Sequence, residues 1–144
     1  MDLSAALSFV RDHRNGVLVT QKRDGRPQLS NIIYAVGDDD VIRISITADR
    51  AKAKNLAREP IASLHVTQDD FYAYVVLEAD VTLSAVAAAP DDDVVEELIA
   101  QYRAMLGEHP DWADFRAAMV RDHRLVARLH PTKAYGMAQL PTPE

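Results

Sequence analysis

Val41-Ile42-Arg43-Ile44-Ser45-Ile46-Thr47 is the clearest alternation in the chain. Successive side chains of a strand point to opposite faces. Ile42, Ile44 and Ile46 therefore predict a core face, and Val41, Arg43, Ser45 and Thr47 a face free for polar contacts. The pattern then changes. Ala48-Asp49-Arg50-Ala51-Lys52-Ala53-Lys54-Asn55-Leu56 predicts a short helix, capped by Asp49 and ending near Arg58 because Pro60 prevents its continuation.

Upstream, Leu3, Ala6, Leu7 and Val10 have helical spacing, and Asn15-Gly16 ends that helix. Val17–Thr20 and Gln28–Val36 read as two strands joined by the Asp24-Gly25 turn signal. Downstream, Ala62–Thr67 and Tyr72–Leu83 are further strands, the second with Val75, Leu77, Ala79, Val81 and Leu83 on one face. From Asp91 to Leu106 the period becomes helical, with Val94, Leu98, Tyr102 and Met105 on one stripe. A second helix is expected over Asp111–Arg121. Closing strands are expected over Leu125–Leu129 and Ala134–Met137, then a frayed tail at Pro141–Glu144. Short connections favour an antiparallel sheet, and about six alternating strands can close into a barrel. The expectation is a single mainly β domain with helices (α+β) spanning residues 1–144.

The 144 residues contain no cysteine, which excludes disulfides and thiolate metal sites. The five histidines form no HxH or HxxxH pair, so no metal site is expected. Asp2 and the Arg11-Asp12-His13 interruption argue against a signal peptide, and no run approaches the roughly 20 apolar residues that cross a bilayer. A cytoplasmic, membrane-free protein is expected. A net charge of −6 argues against a general nucleic-acid binder. Between Arg43 and Arg58, however, Arg43, Arg50, Lys52, Lys54 and Arg58 face only Asp49. A local basic spot on an acidic protein favours a small anion over a long polyanion.

That spot lies at the expected helix start. The free N–H groups and the positive end of the helix dipole favour an anion there, whereas cations are unfavourable unless an anion offsets them. Arg50 and Lys52, with Ser45 and Thr47 on the preceding strand, are thus candidates for holding a phosphate. A solvated basic helix is the bland alternative. Gln28, Ser30 and, one residue out of phase, Asn31 could hydrogen-bond a flat heterocycle or simply face water. Tyr72 and Tyr74, at i and i+2 of one strand face, could stack on a ring or pack in a core or interface. His65 is the only histidine worth considering for chemistry, and a structural role is commoner. Glu96, Glu97 and the Asp91–Asp93 run read as a solvated face. No catalytic triad, GxGxxG or phosphate-binding P-loop is present, so catalytic residues stay unassigned.

GVLVTQKRDGRPQLSN, the hydrophobic strand after it, and RAKAKNLAREPIASLHV together resemble the flavin and deazaflavin oxidoreductases of the pyridoxamine-phosphate-oxidase-like superfamily. Within it the likeness is nearest to the actinobacterial group that binds coenzyme F420. It runs from the N-terminal helix to Tyr135-Gly136 and includes the helical insert AAAPDDDVVEELIAQYR with GEHPDWADFRAAMV. The resemblance implies an FMN-binding-like split β-barrel, usually a homodimer with the cofactor in a groove between subunits. It places Arg50 and Lys52 at the cofactor phosphate, Ser45 and Thr47 on the strand before it, and Gln28, Ser30 and Asn31 beside the deazaflavin ring. Tyr72 and Tyr74 match a segment that approaches the cofactor from the other subunit. It implies F420-dependent hydride transfer to an electron-poor small molecule. The alternatives are an FMN enzyme of the pyridoxamine-phosphate-oxidase kind, and a non-catalytic F420 or flavin carrier.

Overall fold

The alternation around Ile44 decides the core. Ile42, Ile44 and Ile46 are each at most 1% exposed and sit inside a curled antiparallel sheet. The structure, a computed structural model, describes residues 1–138; the tail at Pro141–Glu144 lies outside the described residues. In chain order the elements are α1 (Leu3–Arg11), β1 (Asn15–Gln21), β2 (Pro27–Ile33), β3 (Ala35–Val36), β4 (Ile42–Thr47) and α2 (Ala51–Arg58). They continue with β5 (Ile61–Thr67), β6 (Tyr74–Leu83), α3 (Asp93–Leu106), α4 (Trp112–Arg121) and β7 (Arg124–Met137). The strand order is β2-β1-β5-β6-β7-β4-β3, and every neighbouring pair is antiparallel. The chain is a mixed α+β split barrel, as its sequence implied.

The two edge strands of this sheet, β2 and β3, are consecutive in the chain and separated only by Tyr34. One segment therefore pairs with β1 at one edge and with β4 at the other, and the curled sheet closes through it. The single strand expected over Gln28–Val36 is in fact this pair. Alternation reports burial, not a change of partner, so the sequence hid the break. Tyr34 is 1% exposed. Its hydroxyl donates to the Val10 carbonyl at 2.6 Å and its backbone N–H to the Arg14 carbonyl at 2.9 Å. Burial pushes the phenol well above its ordinary pKa, so it stays a donor.

The hairpin β1–β2 turns at Gly25, whose φ of +86° is the left-handed conformation glycine adopts without cost. Inside the barrel, Leu18, Leu64, Val66, Val75, Leu77, Ala127 and Leu129 join the isoleucines. Ala6, Leu7 and Val10 of α1, and Ala53 and Leu56 of α2, bury against them. Asp2 caps α1, its carboxylate accepting from the Ser4 N–H at 2.9 Å. Helix α2 has no such cap. Its N-cap residue is Arg50, without a side-chain cap bond, and not the expected Asp49.

The closing strands are one strand, β7, which pairs with β6 and β4 at once. Its register jumps opposite Glu78/Ala79, where Pro131 faces Ala79, Lys133 faces Glu78, and Thr132 Oγ1 donates to the Glu78 carbonyl at 3.2 Å. Proline lacks an amide hydrogen, so a bulge here lets the strand continue past it. Tyr72 departs further from expectation. It does not share a strand face with Tyr74 but sits in the Gln68–Ala73 turn, closed by Gln68 N–H to Ala73 carbonyl at 2.8 Å. Phe71 takes a φ of +74°, which throws its ring and that of Tyr72 into solvent.

The helical insert packs on the outer face of β7. Val94, Val95, Leu98 and Ile99 of α3 and Phe115 of α4 enclose Val126. Asp92 caps α3, accepting from the Val95 N–H at 2.9 Å. Glu97, expected on a solvated face, is instead an anchor. Arg43 of β4 and Arg128 of β7 stand directly opposite each other. Like charges so placed repel. Glu97 reaches down from α3 to both, at 2.6 and 2.8 Å to Arg128 and 3.0 Å to Arg43. Arg128 first, then Arg43, hold its carboxyl below the ordinary glutamate range, against the opposing effect of burial.

Two outcomes follow for stability. Tyr34→Phe removes one of the two donors to the Val10 carbonyl, the His13 N–H at 3.1 Å remaining, and is expected to cost about 0.5–1.5 kcal/mol in urea unfolding. A smaller loss would mean that the seam does not depend on this bond. Glu97 stabilises the fold while ionised. Its contribution is complete above the ordinary glutamate value of 4.5 and is lost as the pH falls through its lowered folded-state pKa. Glu97→Gln should lower the Tm at pH 7 and reduce the drop in Tm on acidification. An acid-dependent drop identical to that of the native chain would show that Glu97 is not the titrating anchor.

Candidate functional site

Strand β3 pairs with β4 only at Ile42 and Arg43, so the β4 edge beyond Arg43 has no strand partner on that side. A cavity of about 390 Å³ is walled by Ser45, by Asn31–Ile33 of β2, by Lys52 and Arg124, and by the insert. Two side chains occupy the carbonyls left along β4. Gln101 Nε2 donates to the Arg43 carbonyl at 3.1 Å, and Arg124 Nη1 donates to the Ser45 carbonyl at 3.4 Å.

One end of this cavity is cationic. Lys52 lies in the first turn of α2, two residues after Arg50, and Arg124 stands opposite Thr47 across β4 and β7. Burial, then Arg50 and then Arg124, push Lys52 below its ordinary pKa. None of the three cations makes an ion pair with a carboxylate among the described residues. The cavity lining contains no carboxylate either. Arg124 Nε is buried without a hydrogen-bond partner. Buried polar groups normally find partners, so this donor and the uncompensated charge both call for an acceptor anion. The donor set fits a phosphate.

The candidate residues separate into three groups. Asn31, Ser45 and Lys52 line the cavity itself. Thr47 and Arg50 flank it, and the Arg50 N–H donates to the Thr47 carbonyl at 3.0 Å. Gln28 and Ser30 are not part of its wall. They pair with Thr20 and Leu18 of β1, both buried, and so face the barrel side of β2, whereas Asn31 faces the other way. Tyr72 and Tyr74 lie away from the cavity on the same chain. Tyr74 sits 5.7 Å from the ring of His65, on the uncovered outer face of the sheet. There a shallower groove of about 620 Å³ carries Asn15, Val17, His65, Thr67 and Phe71. The two hollows meet at Asn31–Ile33.

Sequence reasoning missed Arg124, Gln101, Tyr102, Met105, Phe115 and Met119, which complete the cavity. The four aromatic and thioether positions on α3 and α4 looked like ordinary amphipathic stripes. Arg124 carried one signal, a cation at the start of the last strand, but its place beside Lys52 depends on the β4–β7 register.

The sequence matches the family described as pyridoxamine 5'-phosphate oxidase over residues 4–138. Among solved structures, a conserved hypothetical protein from Mycobacterium tuberculosis superposes with a TM-score of 0.74 at 23% identity, covering 100% of this chain and 91% of that one. An F420 reductase aligns with a TM-score of 0.61 at 24% identity, over 89% of this chain and 94% of its own. The heme storage protein HutZ from Vibrio cholerae aligns at 0.69 and 18% identity, over 95% and 96% of the two chains. At these identities the solved structures share the fold. The match over 4–138 assigns the family: the chain belongs to the pyridoxamine 5'-phosphate oxidase family.

Proposed function

We propose that this chain is an F420-dependent oxidoreductase that transfers a hydride between the coenzyme and an electron-poor small molecule. The observation that carries this reading is the convergence of Arg50, Lys52 and Arg124, without a carboxylate, at the hydroxyl-bearing end of β4. These residues would hold the coenzyme phosphate, with Ser45 and Thr47 beside it. Asn31, where the two hollows meet, would hydrogen-bond the ring edge. When bound, the deazaflavin supplies the hydride chemistry, so the cavity lining needs no carboxylate or histidine of its own. The chain's own part is to orient the two reactants and to exclude water with the insert.

FMN also carries a phosphate, and the family's oxidase name favours it as the second reading. A carrier without turnover is the third, and steady-state reduction of any acceptor would remove it. Paired titrations with F420 and FMN, followed by quenching of Trp112, decide the cofactor. The expected result is selective F420 binding, weakened by about 1.5–3 kcal/mol in Arg50→Ala and in Lys52→Ala, the range for hydrogen bonds to charged groups. Preference for FMN would move the function to the second reading. Unchanged affinity in both folded variants would remove the phosphate site.

The coenzyme groove is read as shared between two copies of the chain. Asn31, Val17, His65, Val76 and Tyr135 form one row across five strands on the uncovered face. Leu29, Ile33 and Met137 are exposed on the same face, and Tyr72 projects from its rim. Exposed apolar surface of this extent marks an interaction site. Sedimentation should give a dimer at micromolar concentration and a monomer for Ile33→Asp. A monomeric native chain would leave Tyr72 and Tyr74 without a role at the coenzyme.

A further inference from the structure

The insert's side of the cavity carries a demand that the phosphate site leaves unmet. Gln101 of α3 is 3% exposed, and Nε2 donates to the Arg43 carbonyl. That carbonyl can only accept, so the amide orientation is fixed: turned over, oxygen would face oxygen. Oε1 is therefore held on the other side and has no donor among the described residues. An acceptor buried in this way is costly until something donates to it.

The cavity wall that Gln101 belongs to describes what that donor would belong to. Tyr102, Met105, Phe115 and Met119 line the same wall. Aromatic rings and thioethers suit a flat unsaturated partner. The insert contributes no charged side chain to the cavity, so this half takes a neutral group. The anchors of its two ends, the Arg43 and Ser45 carbonyls, are two residues apart on one strand, about 6.6 Å. A ring held at Gln101 thus lies roughly its own width from the cationic end.

We propose that the insert wall binds the hydride acceptor, and that Gln101 selects it by accepting a hydrogen bond. The acceptor is a neutral, planar, conjugated molecule with an N–H or O–H at its edge. This rests on the reading of the cationic end as the coenzyme's phosphate site. Gln101 is then a specificity residue: its lone pair welcomes a donor and repels a carbonyl or ether oxygen in the same place, since an unpaired buried polar group penalises the wrong ligand.

The probes are 2-quinolone and coumarin, two rings of the same shape in which an N–H is exchanged for an ether oxygen. Each is titrated into the full chain and followed by the NMR signals of the Gln101 side-chain amide. The expected result is at least fivefold tighter binding of 2-quinolone, with a shift of those signals. In Gln101→Met the preference should vanish while F420 affinity is retained. Equal affinities in the native chain, or a preference that survives in Gln101→Met, would overturn the proposal. The native comparison decides even if that variant does not fold. Competitive displacement of 2-quinolone by F420 would give the wall to the coenzyme ring and overturn the assignment to the acceptor. A native chain that prefers 2-quinolone but fails to bind F420 would remove the coenzyme reading and leave the selectivity of Gln101 standing.

Discussion

One buried hydrogen bond and one change of partner hold this barrel shut. The chain runs along β1 as β2, turns at Tyr34, and arrives beside β4 as β3. Tyr34 sits at the junction with its hydroxyl on α1 and its amide on the loop that follows α1. Because β3 is only two residues long, it covers Ile42 and Arg43 and leaves the rest of that β4 edge free. A longer β3 would continue the ladder over Ser45, where the cavity now lies. The shortness of the seam and the existence of the site have the same geometric cause.

Charge organises the two ends of β4 in opposite ways. At Arg43, two opposed arginines are reconciled by Glu97, and the result is a fastening between barrel and insert. At Thr47, Arg124 stands near Lys52 and Arg50, and no carboxylate reconciles them. The same strand therefore carries a finished electrostatic site and an unfinished one. Stability accounts for the first. The second is destabilising to the free chain, and such a cost is retained where a ligand offsets it.

What the sequence disclosed follows the range of the forces involved. Period-two burial is local, so Ile42, Ile44 and Ile46 announce their strand, and Val75 to Val81 theirs. Turn chemistry is local too, which is why Asp24-Gly25 could be read directly. The cationic end was half legible because Arg50 and Lys52 offend a local rule about helix starts. The other half was not. Arg124 is 72 residues from Lys52 in the chain, and Gln101 finds its carbonyl 58 residues away. Glu97 looked solvated for the same reason, since its arginines are 54 and 31 residues distant. Tyr72 misled in another way: it is an aromatic of the kind strands favour, but the Gln68–Ala73 turn, with its positive φ at Phe71, includes it and β6 starts only at Tyr74.

The place of β7 in the sheet bears on how the molecule comes to exist. It is the last strand among the described residues, yet it lies between β6 and β4, inside the sheet and not at its edge. Until residues 124–137 leave the ribosome, β6 and β4 each present an unsatisfied edge, and Val75, Leu77 and Val81 have nothing to pack across from Leu125 and Leu129. Exposed edges of this kind invite pairing with other chains. The nascent protein must therefore complete its barrel in one step, and only after residues 124–137 have been made. During that interval it depends on dilution or on chaperones to stay single.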